Sequence, residues 1–153
     1  MEFQRKYTKK AVIVFGFLLL TIFSFAQTAD LKWETDFPTA EKMSQQTGKP
    51  ILILFSGSDW CKPCIKLKHY ILETPVFEEY SQRFILYNAD FPYKTKQQDA
   101  LVKQNEQLAE QYNPEGKFPK VVYLSADHKV LGSTGFIDCS PNEYIKKIEE
   151  IIN

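Results

Sequence analysis

Ile51-Leu52-Ile53-Leu54-Phe55 runs directly into Ser56-Gly57-Ser58-Asp59 and then Trp60-Cys61-Lys62-Pro63-Cys64. The first five residues are apolar without a break. Their length and β-branching predict a central strand buried on both faces. The four polar residues that follow read as a loop that also offers helix N-cap groups. Beyond them Cys64, Leu67 and Ile71 recur at spacings of three and four, which is one apolar stripe of a helix. Strand, polar loop and a helix with two cysteines in its first turn form the unit from which the rest of the chain is read.

Upstream, residues 36–47 predict a helix, with Pro38 tolerated in its first turn and Gly48 just past its end. Downstream, Thr74-Pro75 is an N-cap followed by a first-turn proline, starting a short helix to about Gln82. Phe84-Ile85-Leu86-Tyr87 is a second apolar strand. Residues 95–112, rich in Gln, Lys and Glu, predict a helix with Leu101, Leu108 and Tyr112 inward, broken by Asn113-Pro114-Glu115-Gly116. Val121-Val122-Tyr123-Leu124 and Val130-Leu131 flank a polar turn and read as a hairpin. Ser140-Pro141 starts a last helix that buries Tyr144, Ile145, Ile148, Ile151 and Ile152. The alternation predicts an α/β domain whose central sheet is mixed, because a hairpin adds antiparallel strands, with helices on both faces.

The first 26 residues stand apart from this pattern. Arg5, Lys6, Lys9 and Lys10 precede an apolar run over residues 11–25, and Ser24-Phe25-Ala26 supplies a small-residue cleavage pattern. These are the parts of a secretory signal peptide, and the run is shorter than the roughly 20 residues a bilayer span prefers. The expectation is a signal peptide over 1–26 and one domain over 27–153, periplasmic or secreted, with an uncleaved membrane anchor as the alternative. The 127 residues left carry 15 basic and 18 acidic side chains, a net charge of −3. That excludes the clustered positive charge of a nucleic-acid footprint. A chain of this size folds on an ordinary core, and its three cysteines are too few and too close for a disulfide framework.

Reactive use of Cys61 and Cys64 is therefore the better reading. A thiol becomes a nucleophile as its thiolate, and a helix N-terminus stabilises a thiolate with unpaired N–H groups and the positive end of its dipole. Cys61 falls at that first turn, and Cys64 lies on the same face, near enough to close a disulfide. One exposed attacking sulfur and one shielded resolving sulfur are expected. A zinc site would need about four ligands, and only Cys139, His69 and His128 remain, scattered and without ligand spacing. Covalent haem needs His directly after the second Cys, where Ile65 stands. A structural disulfide closing so small a ring would add little stability.

Phe55, Trp60-Cys61-Lys62-Pro63-Cys64 and the later Phe118-Pro119 resemble the thioredoxin superfamily. The stretch from about Lys49 to Gly135 is similar to its secreted members, which include the C-terminal domain of the bacterial transmembrane thiol:disulfide interchange protein. The resemblance implies a thioredoxin fold, with Cys61 attacking and Cys64 resolving the mixed disulfide. It also implies a cis peptide bond before Pro119, turning the backbone of Phe118 toward Cys61 so that an extended substrate peptide pairs with it. Read alone, Pro119 would merely start a strand. Trp60, beside the nucleophile, is expected to join Phe118 and Pro119 in contacting substrate rather than serve as ordinary core.

One departure stands out. Thioredoxins carry a buried acidic residue before the motif that takes the proton of the resolving thiol. The matching position here is Leu54 or Phe55, both apolar. Without that carboxylate, and with Lys62 beside Cys61, the thiolate is favoured and the reduced form stabilised, which predicts a potential above thioredoxin's; Pro63, shared with reducing members, pulls the other way. Cys139 reads as a small, partly buried residue, with a third redox thiol as the sharper alternative. The expected activity is exchange between protein dithiols and disulfides in the bacterial envelope, with no metal or organic cofactor, by a monomer that draws electrons from a membrane donor. Reduction is placed first, with isomerase or oxidase activity next. The alternative of another class is a binding module without turnover.

Overall fold

The computed structural model describes residues 31–152; the signal peptide read over residues 1–26 lies outside them. In chain order the elements are β1 (Trp33–Glu34), α1 (Phe37–Thr47), β2 (Ile51–Ser56) and α2 (Lys62–Leu67), which runs on into a π-helical turn (Lys68–Leu72). Then come α3 (Pro75–Ser81), β3 (Ile85–Asp90), α4 (Asp99–Tyr112), β4 (Lys120–Leu124), β5 (Val130–Thr134) and α5 (Pro141–Ile152).

β2 is the strand read from the apolar run, and all six of its residues are buried. Alternation along the strand explains why the run is continuous. Ile51, Ile53 and Phe55 enter one core with Phe37 and Ala40 of α1 and Leu108 and Tyr112 of α4. Leu52 and Leu54 enter another with Leu67 and Ile71 beneath the cysteines, Phe77 of α3, and Tyr144 and Ile148 of α5. A fully buried side chain the size of Phe55 contributes about 2 kcal/mol, so both faces of this strand hold the molecule together. The sheet order is β1-β3-β2-β4-β5. β3 runs parallel to β1 and β2, whereas β4 is antiparallel to both β2 and β5. This is the mixed sheet with helices on both faces, the thioredoxin fold.

Local signals set the helix ends. Asp36 accepts the Thr39 N–H at 3.0 Å ahead of α1, and Gly48, at φ 71°, closes that helix by donating its N–H to Ser44. The Ser140 hydroxyl accepts the Glu143 N–H while the Glu143 carboxylate accepts the Ser140 N–H, a reciprocal cap on α5. Three features differ from the sequence reading. β1 is a two-residue strand beside Leu86 and Tyr87, too short to show a period. β5 continues to Thr134 because Thr134 and Ser133 stay in register with Val121 and Val122. α4 begins at Asp99 rather than 95. The preceding residues form a loop, and Gln98 is still extended (φ −69°, ψ 139°) as the N-cap of α4.

Candidate active site

β2 ends at Ser56, the chain turns through Gly57-Ser58-Asp59, and Cys61 becomes the N-cap of α2 in an extended conformation (φ −82°, ψ 95°). The turn is closed by hydrogen bonds from the N–H groups of Trp60 (3.3 Å) and Cys61 (2.9 Å) to the Gly57 carbonyl. A capping residue presents its side chain to the free N–H groups of the first turn; here the Cys64 N–H donates to Cys61 Sγ at 3.2 Å. Cys61 and Cys64 form a disulfide, with their Cα atoms 5.2 Å apart. Lys62 and Pro63, between them, are exposed.

The expectation of one exposed and one shielded sulfur needs correction, because Cys61 and Cys64 are 4% and 5% exposed. In the disulfide Sγ of Cys61 is turned in over the first helical turn, bonded to Cys64 and accepting its N–H.

Trp60 is 47% exposed, and three contacts fix it. Its Nε1 donates to the Phe91 carbonyl at 2.7 Å. Its ring meets that of Phe118 edge-on at 5.5 Å, and Phe118 in turn meets Phe91 at 5.4 Å. The indole also lies against Gly57, where an added Cβ would stand 2.5 Å from Nε1. The structure therefore joins Trp60 to Phe118, 58 residues apart, in one aromatic surface next to Cys61. The Phe118–Pro119 peptide bond is cis, and Pro119 is buried just ahead of β4.

Several site residues escaped the sequence reading. Asp59, which looked like a helix cap, accepts the N–H groups of Tyr93 (2.8 Å), Lys94 (2.7 Å) and Thr95 (3.3 Å). These backbone hydrogen bonds, Tyr93's foremost, hold its carboxyl below the usual aspartate range. The loop they anchor carries Tyr93, 87% exposed, two residues beyond Phe91. Asp90, at the end of β3, accepts the Ser58 N–H at 2.9 Å and the Ser58 hydroxyl at 2.6 Å, which fixes the turn ahead of the cysteines. Only the Ser-Gly-Ser-Asp composition hinted at this, since the partners lie 31 to 36 residues away.

The strand register settles which residue replaces the acid. Phe55 faces the far core, whereas Leu54 pairs with Asn88 on one side and Val121 on the other. With Cys64, Leu54 lines a cleft of about 400 Å³ whose walls include Trp33, Ser56, Asn88 and His69. His69 is exposed, with Nδ1 2.6 Å from Glu73 Oε2, and His128 occupies a turn at φ 63°. Among the described residues no three His, Cys, Asp or Glu side chains converge as a metal site. Cys139 is a free, partly buried thiol packed against the core under α5. Burial, then Glu143, pushes it up and away from the reactive range.

A disulfide of Cys-x-x-Cys spacing capping a helix, on a thioredoxin fold, defines a thiol–disulfide oxidoreductase. The chain belongs to the thioredoxin-like family, whose model matches residues 32–126. The disulfide bond reductase DsbH of Chlamydia pneumoniae is 34% identical to it over 125 residues, which cover 81% of this chain and 74% of that protein. A solved DsbH oxidoreductase matches with a TM-score of 0.76 at 33% identity, covering 81% of this chain and 85% of that one. The oxidised C-terminal domain of Neisseria meningitidis DsbD shares the fold, with a TM-score of 0.54 at 20% identity over 75% of this chain and 91% of that domain.

Proposed function

We propose that this oxidoreductase reduces disulfides in proteins of the bacterial envelope. The observation that carries the reading is the Cys61–Cys64 disulfide set at the first turn of α2 beside the Trp60–Phe118 surface. Its similarity to a protein named a disulfide bond reductase supports the direction. In the reduced protein the Cys61 thiolate attacks one sulfur of a substrate disulfide, forming a mixed disulfide and releasing the other sulfur, which takes a proton. Cys64 then attacks Cys61 Sγ, the substrate's second sulfur leaves as a thiol, and the two electrons have passed to the substrate. Trp60, Phe118 and Pro119 contact the extended substrate chain, and Lys62 with Pro63 tunes the thiolate.

Residues 1–26 act as the export signal for the domain over 27–153. Among the described residues no helix is long and apolar enough to cross a membrane. Exported space is kept oxidising, so a membrane dithiol donor returns the electrons to this monomer, with no metal or organic cofactor. Insulin reduction by the wild type, Cys61→Ser and Cys64→Ser tests the reading. Activity is expected in the wild type alone, and equal activity in all three would remove the reading of Cys61 and Cys64 as the working groups of an enzyme. Cys64→Ser is expected to trap a disulfide-linked partner from the envelope, which identifies the substrate.

A further inference from the structure

Only a thiolate attacks a sulfur, so Cys64 must lose a proton each time it resolves a mixed disulfide. Leu54, the strand residue beside it in the cleft, has no atom to take one. The cleft itself offers polar groups. Ser56, the last residue of β2, is 5% exposed, and its Oγ lies 2.9 Å from Asn88 Oδ1 and 3.3 Å from Asp90 Oδ1. A hydroxyl that donates its one proton to either oxygen keeps its lone pairs for accepting. Asp90 is held in place by the Ser58 N–H and hydroxyl. Lys68 and His69 from the π-helical turn and Glu73 just after it are the other titratable groups lining the cleft.

Resting on the roles given above to Cys61 and Cys64, we propose that this cleft is the proton path of Cys64 and that Ser56, ordered by Asn88 and Asp90, positions the water that takes the proton. The Cys64 S–H bond breaks toward a cleft water, which donates to Ser56 Oγ while the Asp90 carboxylate behind it favours the positive charge. The proton passes to bulk water through the cleft mouth. The Cys64 thiolate forms its bond to Cys61 Sγ as the bond from Cys61 to the substrate sulfur breaks, and that sulfur takes a proton from solvent. Oxidation of a substrate dithiol returns a proton to Cys64 along the same path. Ser56 is thus a positioning residue that acts through water.

The test uses the reduced protein in a Cys139→Ser background, mixed with one equivalent of 5,5′-dithiobis(2-nitrobenzoate). The first thionitrobenzoate released reports attack by Cys61, and the second reports resolution by Cys64. Ser56→Ala is expected to slow the second release roughly tenfold or more near neutral pH and to move its pH midpoint upward, with the first release changed by less than about twofold. Ser56→Thr, which keeps the hydroxyl, is expected to restore the second release. An unchanged second release in Ser56→Ala, equal slowing of both releases, or failure of Ser56→Thr to rescue would overturn the proposal. A missing first release in the wild type would instead remove the roles of the cysteine pair, and this proposal with them.

Discussion

Gly57→Ala puts the packing of Trp60 to a quantitative test. The three atoms nearest to an added Cβ all belong to the indole, with Nε1 at 2.5 Å and Cζ2 at 2.6 Å, where ordinary contact begins near 3.4 Å. The ring must therefore retreat by about an ångström, which takes Nε1 off the Phe91 carbonyl and the ring edge off Phe118. Losing one hydrogen bond costs about 1 kcal/mol and losing an aromatic pair about as much again, so a half-exposed indole gives a total of about 1–2 kcal/mol. For a domain of this size that lowers the melting temperature by roughly 4–7 °C. Gly57 is not among the residues with positive φ, so alanine fits its backbone. In a Trp60→Ala background the same change is expected to be neutral or to stabilise by up to about 0.5 kcal/mol, through a less flexible unfolded chain. Thermal unfolding of the two single variants, the double variant and the parent closes the cycle. If Gly57→Ala costs the same with and without the indole, the close approach is not what holds Trp60, and the reasoning fails. KM for insulin is expected to rise with Gly57→Ala, because the aromatic surface beside Cys61 is displaced.

Three further outcomes are expected. Asp59 has a lowered pKa in the folded protein, so its contribution to holding the loop is complete above the ordinary aspartate value of 3.8 and is lost only as pH falls through the lower folded value; the Tyr93 and Lys94 amide resonances should titrate below 3.8, and a midpoint at or above it contradicts the clamp. Asn105, 1% exposed, accepts from the Tyr87 hydroxyl at 2.6 Å and donates to the Asp90 carbonyl at 3.0 Å. Asn105→Leu takes this donor from the Asp90 carbonyl and leaves the Tyr87 hydroxyl only the bond it accepts from Gln104 Nε2 at 2.6 Å, and should cost about 2–3 kcal/mol, a fall of roughly 8 °C in melting temperature; a fall under about 2 °C would show that neither bond matters. Equilibration with a glutathione or dithiothreitol series should give a potential above about −270 mV, and a value at or below it would defeat the argument from Leu54 and Lys62.

The parts of the fold legible in the sequence are those that local physics dictates. Ile51 to Phe55 must be covered on both faces, Thr74-Pro75 and Ser140 mark helix starts, and the Trp-Cys-Lys-Pro-Cys segment with Phe118-Pro119 locates the cysteine pair and its aromatic neighbours. What the chain hid depends on distant partners. Trp33–Glu34 is a strand only because β3 lies alongside it. The loop ahead of α4 is anchored by Asp59, over thirty positions earlier, through the N–H groups of Tyr93, Lys94 and Thr95, and no local pattern shows that. The choice between Leu54 and Phe55 depended on which core each enters, and only the strand register decides that. Cys61 was expected to be exposed from its place at the helix start, and in the disulfide it is 4% exposed.

The clamp made by Asp59 has a consequence for how this protein can diversify. Its carboxylate grips main-chain amides, with the Lys94 charge a lesser contribution, and so depends little on which side chains Tyr93, Lys94 and Thr95 carry. Those three positions can therefore be rewritten, by selection or by grafting, while the turn ahead of the cysteines keeps its anchor. The loop's side chains and the setting of the sulfurs are separable inheritances here, linked through Asp59.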